Sequence, residues 1–486
     1  MSTLPPSLAG KAARASADDQ PLYADRVRVY PQRVRGVFRR FKWAALIVLL
    51  AIYYLAPWLR WDRGPGAPDQ ALLIDMPARR AYFFSIEIWP QEVYYLTGLL
   101  ILAAIGLFLV TSLFGRVWCG YACPQTVWTD LFMWVERLVE GDRNARMRLD
   151  KAPWSVAKAF RMVLKHGIWI VIAAATGGAW VMYFTDAPTL VVDMAHLNVS
   201  GATLFFIGLF TATTYLLGGI AREQVCTYMC PWPRFQAAMF DEDTLIVTYE
   251  SWRGETRGKH KAGDPWEGRG HCVDCRQCVN VCPTGIDIRE GNQLECIGCG
   301  LCIDACNTIM DKLSLPRNLV RFDTVSNQIA RAEGGAAPFR LFRPRTLIYT
   351  AVLLLVAGVM AFGLGTRSTL DVNVLRDRNP LFVTLSDGTI RNGYTFKILN
   401  RARADRAFAL TVEGMPEATI SVIGGDSDTE RLVLTARPDR VETYRVLVRA
   451  PRGQLTGDST PLRFVLIETL ADGEIAVQDT VFRGPR

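Results

Sequence analysis

Histidine is scarce in this chain. His166, His196, His260 and His271 are the only four in 486 residues, and His166 alone borders an apolar segment. Paired axial haem ligation by histidine inside a membrane is therefore not expected, although cysteine or methionine ligation stays open. No cysteine falls outside two spacing patterns, so none is an incidental core thiol. From Thr366 onward there is no cysteine, no histidine and no long apolar run. A cleavable signal peptide is also missing by pattern: the polar N-terminal stretch is too long, and no small-residue cleavage site follows the first apolar segment. The net charge of +8 is carried by the flanks of the apolar segments, which gives no case for nucleic-acid binding.

Eight of the twelve cysteines form two matching runs, Cys272-x2-Cys275-x2-Cys278-x3-Cys282-Pro283 and Cys296-x2-Cys299-x2-Cys302-x3-Cys306. This spacing fits two [4Fe-4S] clusters, because three close thiolates wrap one cubane while the fourth reaches the other. The predicted ligation is crossed: Cys272, Cys275, Cys278 and Cys306 for one cluster, Cys282, Cys296, Cys299 and Cys302 for the other. Zinc sites and disulfides are the alternatives, but zinc normally takes four ligands in two pairs and disulfides do not require a triple spacing. Asn307 stands where the first run has Pro283, which alters the second turn without removing a ligand.

The other four cysteines make a second pattern, Cys119-Gly-Tyr-Ala-Cys123-Pro124 and Cys226-Thr-Tyr-Met-Cys230-Pro231. On a helix, i and i+4 share a face, so each pair could grip one soft ion. The proline disfavours helical geometry at the cysteine before it and so also marks a helix end or a turn. Each pair could instead cap its own helix or form a disulfide, which in a reducing cytoplasm would be transient or catalytic.

Half of the residues are hydrophobic. Five apolar stretches approach or reach the roughly 20 residues that a helix needs to cross a bilayer: Trp43 to Leu59, Val93 to Phe114, Gly167 to Thr185, Val199 to Ala221 and Leu347 to Gly365. Tyr53, Tyr54, Trp58 and Trp61 suit an interfacial belt. The first 42 residues carry nine Lys/Arg, among them Arg33, Arg35, Arg39, Arg40 and Lys42, and the segment from Phe114 to Lys165 carries nine more. The link from Asp186 to Asn198 has none. This asymmetry predicts an N-terminus and clusters on the cytoplasmic side and a C-terminus outside. The expected organisation is a basic segment at 1–42, four spans at 43–240 with the cysteine hairpins, and a cytoplasmic linker and ferredoxin-like part at 241–345. Within that part the clusters fall at 268–312, and a fifth span at 346–366 and an outer domain at 367–486 complete the chain.

Ile105-Gly106-Leu107-Phe108 precedes the first cysteine pair, and Ile207-Gly208-Leu209-Phe210 precedes the second. This repeat places both pairs at the cytoplasmic ends of spans two and four, where a pseudo-two-fold packing would let four thiols converge. The stretch from Asp130 to Arg161 is polar and helical in pattern, expected on the membrane surface. Beyond Thr366, seven short alternating stretches read as strands: Leu381 to Leu385, Tyr394 to Leu399, Ala407 to Val412, Thr419 to Ile423, Arg431 to Ala436, Thr443 to Val448 and Leu462 to Thr469. They suggest an antiparallel sandwich of immunoglobulin type. The fold class expected is therefore a multi-pass α-helical membrane protein of five spans. It carries a cytoplasmic bacterial-type two-cluster ferredoxin-like insert and a C-terminal all-β immunoglobulin-like sandwich.

Other candidates weigh less. Ser200-Gly201-Ala202-Thr203 is similar to a covalent-FMN acceptor sequence, but it opens an apolar span, where small-residue helix packing explains it better. Glu87, Trp89, Glu92 and His196 could meet a quinol or a metal, or serve as ordinary interfacial residues. Met133, Met229 and Met239 could offer thioethers, or be core or lipid-facing side chains.

The order of two Cys-x3-Cys-Pro hairpins, a double cysteine run, its continuation from Cys306 to Asp323, a fifth span and an outer sandwich resembles the FixG/RdxA/CcoG family. The resemblance covers nearly the whole chain after about residue 25. It implies an accessory protein of the bacterial inner membrane that reduces Cu(II) to Cu(I) for assembly of a cbb-type cytochrome c oxidase. By position it makes the eight run cysteines electron carriers and Cys119, Cys123, Cys226 and Cys230 the copper-handling residues, catalytic and metal-binding at once. The partners it implies are the lipid bilayer, oxidase assembly factors, a copper exporter or chaperone, and an unidentified electron donor. Two other functions share these features: a quinol-linked membrane ferredoxin subunit serving a periplasmic respiratory enzyme, and a non-enzymatic assembly scaffold.

Overall fold

The computed structural model describes residues 28–485 apart from 65–66, 261–264, 336–338, 369, 403, 425–428, 439 and 470–472. The 1–27 part of the basic N-terminal segment lies outside the described residues. The chain forms two compact units, one comprising residues up to 63 and 68–358, the other 64–67 and 359–486.

In the first unit, helices α1 (Val37–Leu55), α2 (Tyr94–Phe114), α3 (Pro124–Glu140), α4 (Arg143–Lys151), α5 (Val156–Val181), α6 (Ala187–Ala195), α7 (Gly201–Thr214) and α8 (Trp232–Met239) precede the cysteine runs. Among the described residues, five helical stretches are long and apolar enough to cross a membrane: Val37–Trp58, Pro90–Phe114, Val156–Val181, Gly201–Ala221 and Pro344–Gly365. The second and fifth are the most apolar, with mean hydropathy 2.4, yet the protein buries only 11% and 0% of their windows. Apolar helices turned outward are the reverse of a water-soluble core and match a hydrocarbon surround.

Four spans begin earlier than expected, the first and third by more than a helical turn. The first starts at Val37 instead of Trp43, and it buries Arg39 and Lys42. The third starts at Val156 instead of Gly167, capped by the Ser155 hydroxyl. Its basic first turns are tolerated because neighbouring segments satisfy them. Lys158 Nζ donates to the carbonyls of Asp150 and Ala152 at 3.0 and 2.7 Å, and Lys165 Nζ meets Glu140 Oε1 at 2.7 Å. Gly177 lets the α7 backbone approach: a Cβ there would lie 2.7 Å from the Ile207 carbonyl oxygen.

The 130–161 stretch does not simply lie on a surface. α3 buries Phe132, Val135 and Glu136, and the Phe132 ring stacks on Trp169 of α5 at 5.4 Å. Its carboxylates are committed inside the protein. Glu136 pairs with Arg222 at 2.9 Å and with Arg146, and Glu140 pairs with Lys165. The amphipathic stripe of α3 is thus a packing face.

Between α1 and α2 a small antiparallel sheet, β1 (Leu72–Asp75), β2 (Arg80–Phe83) and β3 (Ile86–Ile88), was not foreseen. The 241–271 stretch is more than a linker. Its β4 (Ile246–Tyr249) pairs antiparallel with β5 (Val320–Asp323), Val247 opposite Phe322. That ribbon brackets the cysteine runs, and Val247, Tyr249, Ile288, Ile303, Met310, Leu319 and Val320 form one core with Cys272 and Cys278.

The second unit is a sandwich of two antiparallel sheets. One has the order β10 (Thr419–Val422), β12 (Arg440–Ala450), β8 (Ile390–Asn400), β6 (Leu370–Arg376), with β7 (Val383–Thr384) also on β8. The other has the order β11 (Leu432–Ala436), β9 (Arg406–Glu413), β13 (Ser459–Glu468), β14 (Ile475–Arg483). Alternating inward residues meet in a core around Tyr394, Phe396, Phe408, Phe464 and Phe482, with Phe396 and Phe464 edge to face at 4.7 Å. Strands β6 and β14 were missed in the sequence, although Leu370, Val372 and Val374 of β6 alternate with Asp371 and Asn373; in β14 the polar Gln478 and Asp479 are adjacent and break the alternation.

Candidate redox site

Each cysteine pair sits in a π-turn. Phe114 ends α2, Gly115 follows at φ +58°, and the turn Trp118–Ala122 carries Cys119. Cys123 leaves it in extended geometry, its N–H donating to the Trp118 carbonyl at 2.8 Å. The second pair repeats this. Arg222 holds φ +42° four residues before Cys226, the turn is Val225–Met229, and the Cys230 N–H donates to Val225 at 2.7 Å. Gly115 and Arg222 also share similar ψ, −123° and −110°. The wide turn and the extended second cysteine follow from the proline behind it, and π-bulges are frequent at functional sites.

The eight run cysteines line two adjoining cavities. Cys272, Cys275, Cys278 and Cys306 line the first, with Tyr249, Val273, Ile309 and Leu319. Cys282, Cys296, Cys299 and Cys302 line the second, with Val247, Ile286, Ile288 and Ile297, and Cys278 borders both. The fourth cysteine of each run thus faces the cavity of the other. The two cores differ in setting, because Cys275 is exposed whereas Cys299 is buried.

The local backbone is the same in both runs. Asp274 and Arg276 have φ +52° and +55°, and Gly298 and Gly300 at the equivalent places have +65° and +71°. Left-handed residues after each of the first two cysteines turn the chain around the cavity. The second run uses glycine because it is approached closely there: a Cβ on Gly300 would lie 2.8 Å from the Phe38 ring.

The donor set fits an iron-sulfur cluster. Backbone N–H groups of Val279, Gly298, Leu301 and Val320 reach Cys278, Cys296, Cys299 and Cys306 and favour their thiolates. Burial opposes them and pushes Cys278, Cys296 and Cys306 up to about 12. Thiols so placed, in apolar walls and beside amide donors, need a cationic or iron-bearing partner to be thiolates at neutral pH.

The paired cysteines adjoin the second cavity. Cys119 and Cys226 pack against the cluster of Val281, Ile297, Cys299, Leu301 and Ala305. A Cβ on Gly120 would lie 2.9 Å from the Ile297 carbonyl oxygen and 3.1 Å from Cys299 Cα, so glycine permits backbone contact here. The Tyr121 hydroxyl donates to the Cys299 carbonyl at 2.8 Å. Arg116, 5% exposed, ties three segments together: it donates to the carbonyls of Leu294, Cys296 (2.9 Å) and Pro233 (2.9 Å). Neither Gly120 nor Arg116 stood out in the sequence.

Cys119 lies within electrostatic range of Cys123, Cys226 and Cys230. Burial pushes Cys119 and Cys226 up to about 12, with Cys123 acting in the same direction on both. Cys119 Sγ donates to Gln236 Oε1 at 3.1 Å, and Gln236 Nε2 donates to Thr111 Oγ1 at 3.3 Å. Among the described residues no three His, Cys, Asp or Glu side chains are close enough to hold a single ion. The four thiols are therefore neighbours and do not form a closed tetrahedral cage.

The lesser candidates have structural roles. Glu92 accepts from the Trp89 N–H at 3.1 Å, Glu87 pairs with Arg80, and Ser200 caps α7. His196 is exposed and bonds the Val192 carbonyl, Met133 is core, and Met229 is exposed.

Comparison with known proteins agrees with this architecture. A 4Fe-4S dicluster domain matches residues 221–325, a 4Fe-4S binding domain matches 96–140, and the IG-like fold at the C-terminus of FixG matches 360–485. The nitrogen fixation protein FixG of Rhizobium meliloti is 53% identical over 463 residues, covering 89% of this chain and 88% of that one. RdxB and RdxA of Cereibacter sphaeroides are 50% and 47% identical, over 95% and 96% of this chain and 97% and 99% of their own. With 4Fe-4S domains, five apolar helices and this identity over most of its length, the chain belongs to the FixG/RdxA family of multi-pass membrane iron-sulfur proteins.

Proposed function

We propose that the protein reduces Cu(II) to Cu(I) at Cys119, Cys123, Cys226 and Cys230, for assembly of the copper centre of a cbb-type cytochrome c oxidase. The observation that carries this reading is the packing of Cys119 and Cys226 on the Cys299 lobe, with the backbone of Gly120 against Ile297 and Cys299. Clusters held by the two cysteine sets would supply one-electron storage at that position, and each Cu(II) needs one electron. The chain's own thiols do the rest. A soft thiolate pair favours Cu(I) over Cu(II), so binding at these cysteines itself draws copper toward the reduced state. Cys119 and Cys226 each give up a proton on binding, because burial keeps them protonated before the metal arrives. Gln236, hydrogen-bonded to Cys119, is placed to orient that thiol and to accept its proton's hydrogen bond before release. In this reading the paired cysteines and cluster lobe face the cytoplasm, the sandwich lies in the periplasm, and Cu(I) passes to an exporter or chaperone.

A second reading has an observation of its own. A cavity of about 370 Å³ lies among the spans, walled by Tyr53, Trp128, Trp180 and Phe210 and reaching Pro124 and Gln125 just after Cys123. Aromatic walls with a few polar groups suit a lipophilic quinol, which would make the protein a quinol-linked ferredoxin subunit.

The test is anaerobic. Reduced, cluster-loaded protein is mixed with Cu(II) while cluster absorbance and Cu(I) capture by a chelator are followed together, with cluster-free protein as the control for free thiols. Loss of Cu(I) formation in Cys119→Ser/Cys123→Ser and Cys226→Ser/Cys230→Ser supports copper reduction at these residues. Cluster reoxidation that is equally fast in both variants, or that responds only to quinone, overturns it and favours the second reading.

A further inference from the structure

We propose that the N-terminal end of α1 is a binding site for a phosphate ester, the headgroup of an anionic phospholipid. A cavity of about 860 Å³ opens there, walled by Arg33, Arg35, Arg39, Arg40 and Arg137 with the indoles of Trp43 and Trp134. Arg39 is joined to Asp130, and the other four guanidinium groups around the space repel one another unless an anion joins them. The nearby carboxylates are already engaged. Asp130 accepts from Arg39 Nη1 at 2.8 Å, Asp304 accepts from the Arg39 backbone N–H at 2.8 Å, and Asp142 accepts from the Arg33 and Arg143 backbone N–H groups. Glu136 is held by Arg146 and Arg222.

Arg39, 7% exposed, is paired with Asp130 and lies over the Trp43 ring at 4.7 Å, which fixes it in the cavity wall, while the exposed Arg33, Arg35 and Arg40 line the space beside it. Guanidinium forks match the paired oxygens of a phosphate.

The surroundings select a lipid over a soluble phosphate. The cavity lies where the first apolar span begins, and Val37, Phe41 and Leu138 on the same helical turns are exposed. They would meet acyl chains beside a bound headgroup. Trp43 and Trp134 stand edge to face at 6.3 Å, the residue type that marks a membrane interface.

The experiment uses the full-length, cluster-loaded protein in nanodiscs of phosphatidylcholine alone, of phosphatidylcholine doped with phosphatidylglycerol, and of phosphatidylcholine with inorganic phosphate in the buffer. Native mass spectrometry counts retained lipids, and thermal unfolding reports protection. The wild type should retain phosphatidylglycerol selectively and unfold at a higher temperature with it. Arg35→Gln/Arg40→Gln alters two exposed side chains. It should weaken that retention about thirtyfold, the factor for two charges at about 1 kcal/mol each. Arg40→Gln alone should give an intermediate loss with cluster absorbance intact. Equal retention of the two lipids by the wild type, or unchanged retention in the variants, overturns the proposal. Protection by inorganic phosphate that phosphatidylglycerol does not match assigns the cavity to a soluble anion and also overturns it.

Discussion

The two cysteine cavities are built on one backbone pattern and differ in what surrounds them. The outer one, with Cys275 exposed, places Asp274 and Arg276 at its left-handed positions, and Asp274 is tied to Arg289 at 2.5 Å. The inner one, with Cys299 buried, has Gly298 and Gly300 there, packed against Arg116 and Phe38. One lobe is thus open to solvent and the other is pressed onto the cysteine hairpins. In the proposed electron path the open lobe would take electrons in and the pressed lobe would pass them on.

The largest expected effect separates the lobes by access. A hydrophilic iron chelator under mild oxidation should strip the outer site first, leaving a plateau at about four of about eight iron atoms per chain. Iron analysis alongside the absorbance trace checks it, and simultaneous loss from both sites would break the comparison. Copper affinity should show the next largest effect. Burial holds the Cys119 and Cys226 thiols up to about 12, so these two are protonated at neutral pH. Affinity of a two-thiol site for Cu(I) should rise with pH, up to about a hundredfold per unit, and fall as pH drops. Chelator competition at two pH values measures this, and a flat profile would mean the thiols do not bind the metal.

Gly120→Val sharpens the inner contact. The added side chain meets Ile297 and Cys299 backbone, so a loss of about 1–3 kcal/mol is expected, with slower copper reduction. Gly167→Ala, inside α5 where no neighbouring segment lies within 4 Å of the added Cβ, should leave the rate unchanged and raise stability by about 0.5–1 kcal/mol; denaturant melts and rate assays compare the two. The smallest effect concerns Lys42. It is 3% exposed, its ammonium has no hydrogen-bond partner, and it lies within electrostatic range of Cys299 and Cys226. A positive charge stabilises the reduced state, so Lys42→Met should lower the inner potential. The shift should be on the order of 70 mV, for a unit charge roughly 10 Å away at an effective dielectric constant of about 20. An EPR redox titration should show the outer potential moving less.

The sequence speaks most clearly where a constraint is local. Cysteine spacing carries the partition between cavities, because three thiols within seven residues can face only one small space. Apolar length carries the five spanning candidates, and alternation carries strands such as β8. What escaped depends on partners distant in the chain. α3 reads as a surface helix until Trp169 covers Phe132, and Lys158 and Lys165 hide the start of α5 until α3 and the segment after α4 satisfy them. Gly120 and Arg116 are ordinary residues in the sequence; only the fold brings residues 177 and 180 positions away against them.

The most direct test compares single-lobe proteins. Cys299→Ala/Cys302→Ala retains only the outer set, and Cys272→Ala/Cys275→Ala retains only the inner set. Each would be reduced by dithionite, desalted anaerobically and mixed with Cu(II), with rapid freeze-quench EPR timing cluster oxidation against Cu(I) formation. The account predicts that the inner-only protein produces Cu(I) in step with loss of its reduced signal, while the outer-only protein does so far more slowly. Equal rates from the two proteins, or a faster outer-only protein, would contradict it.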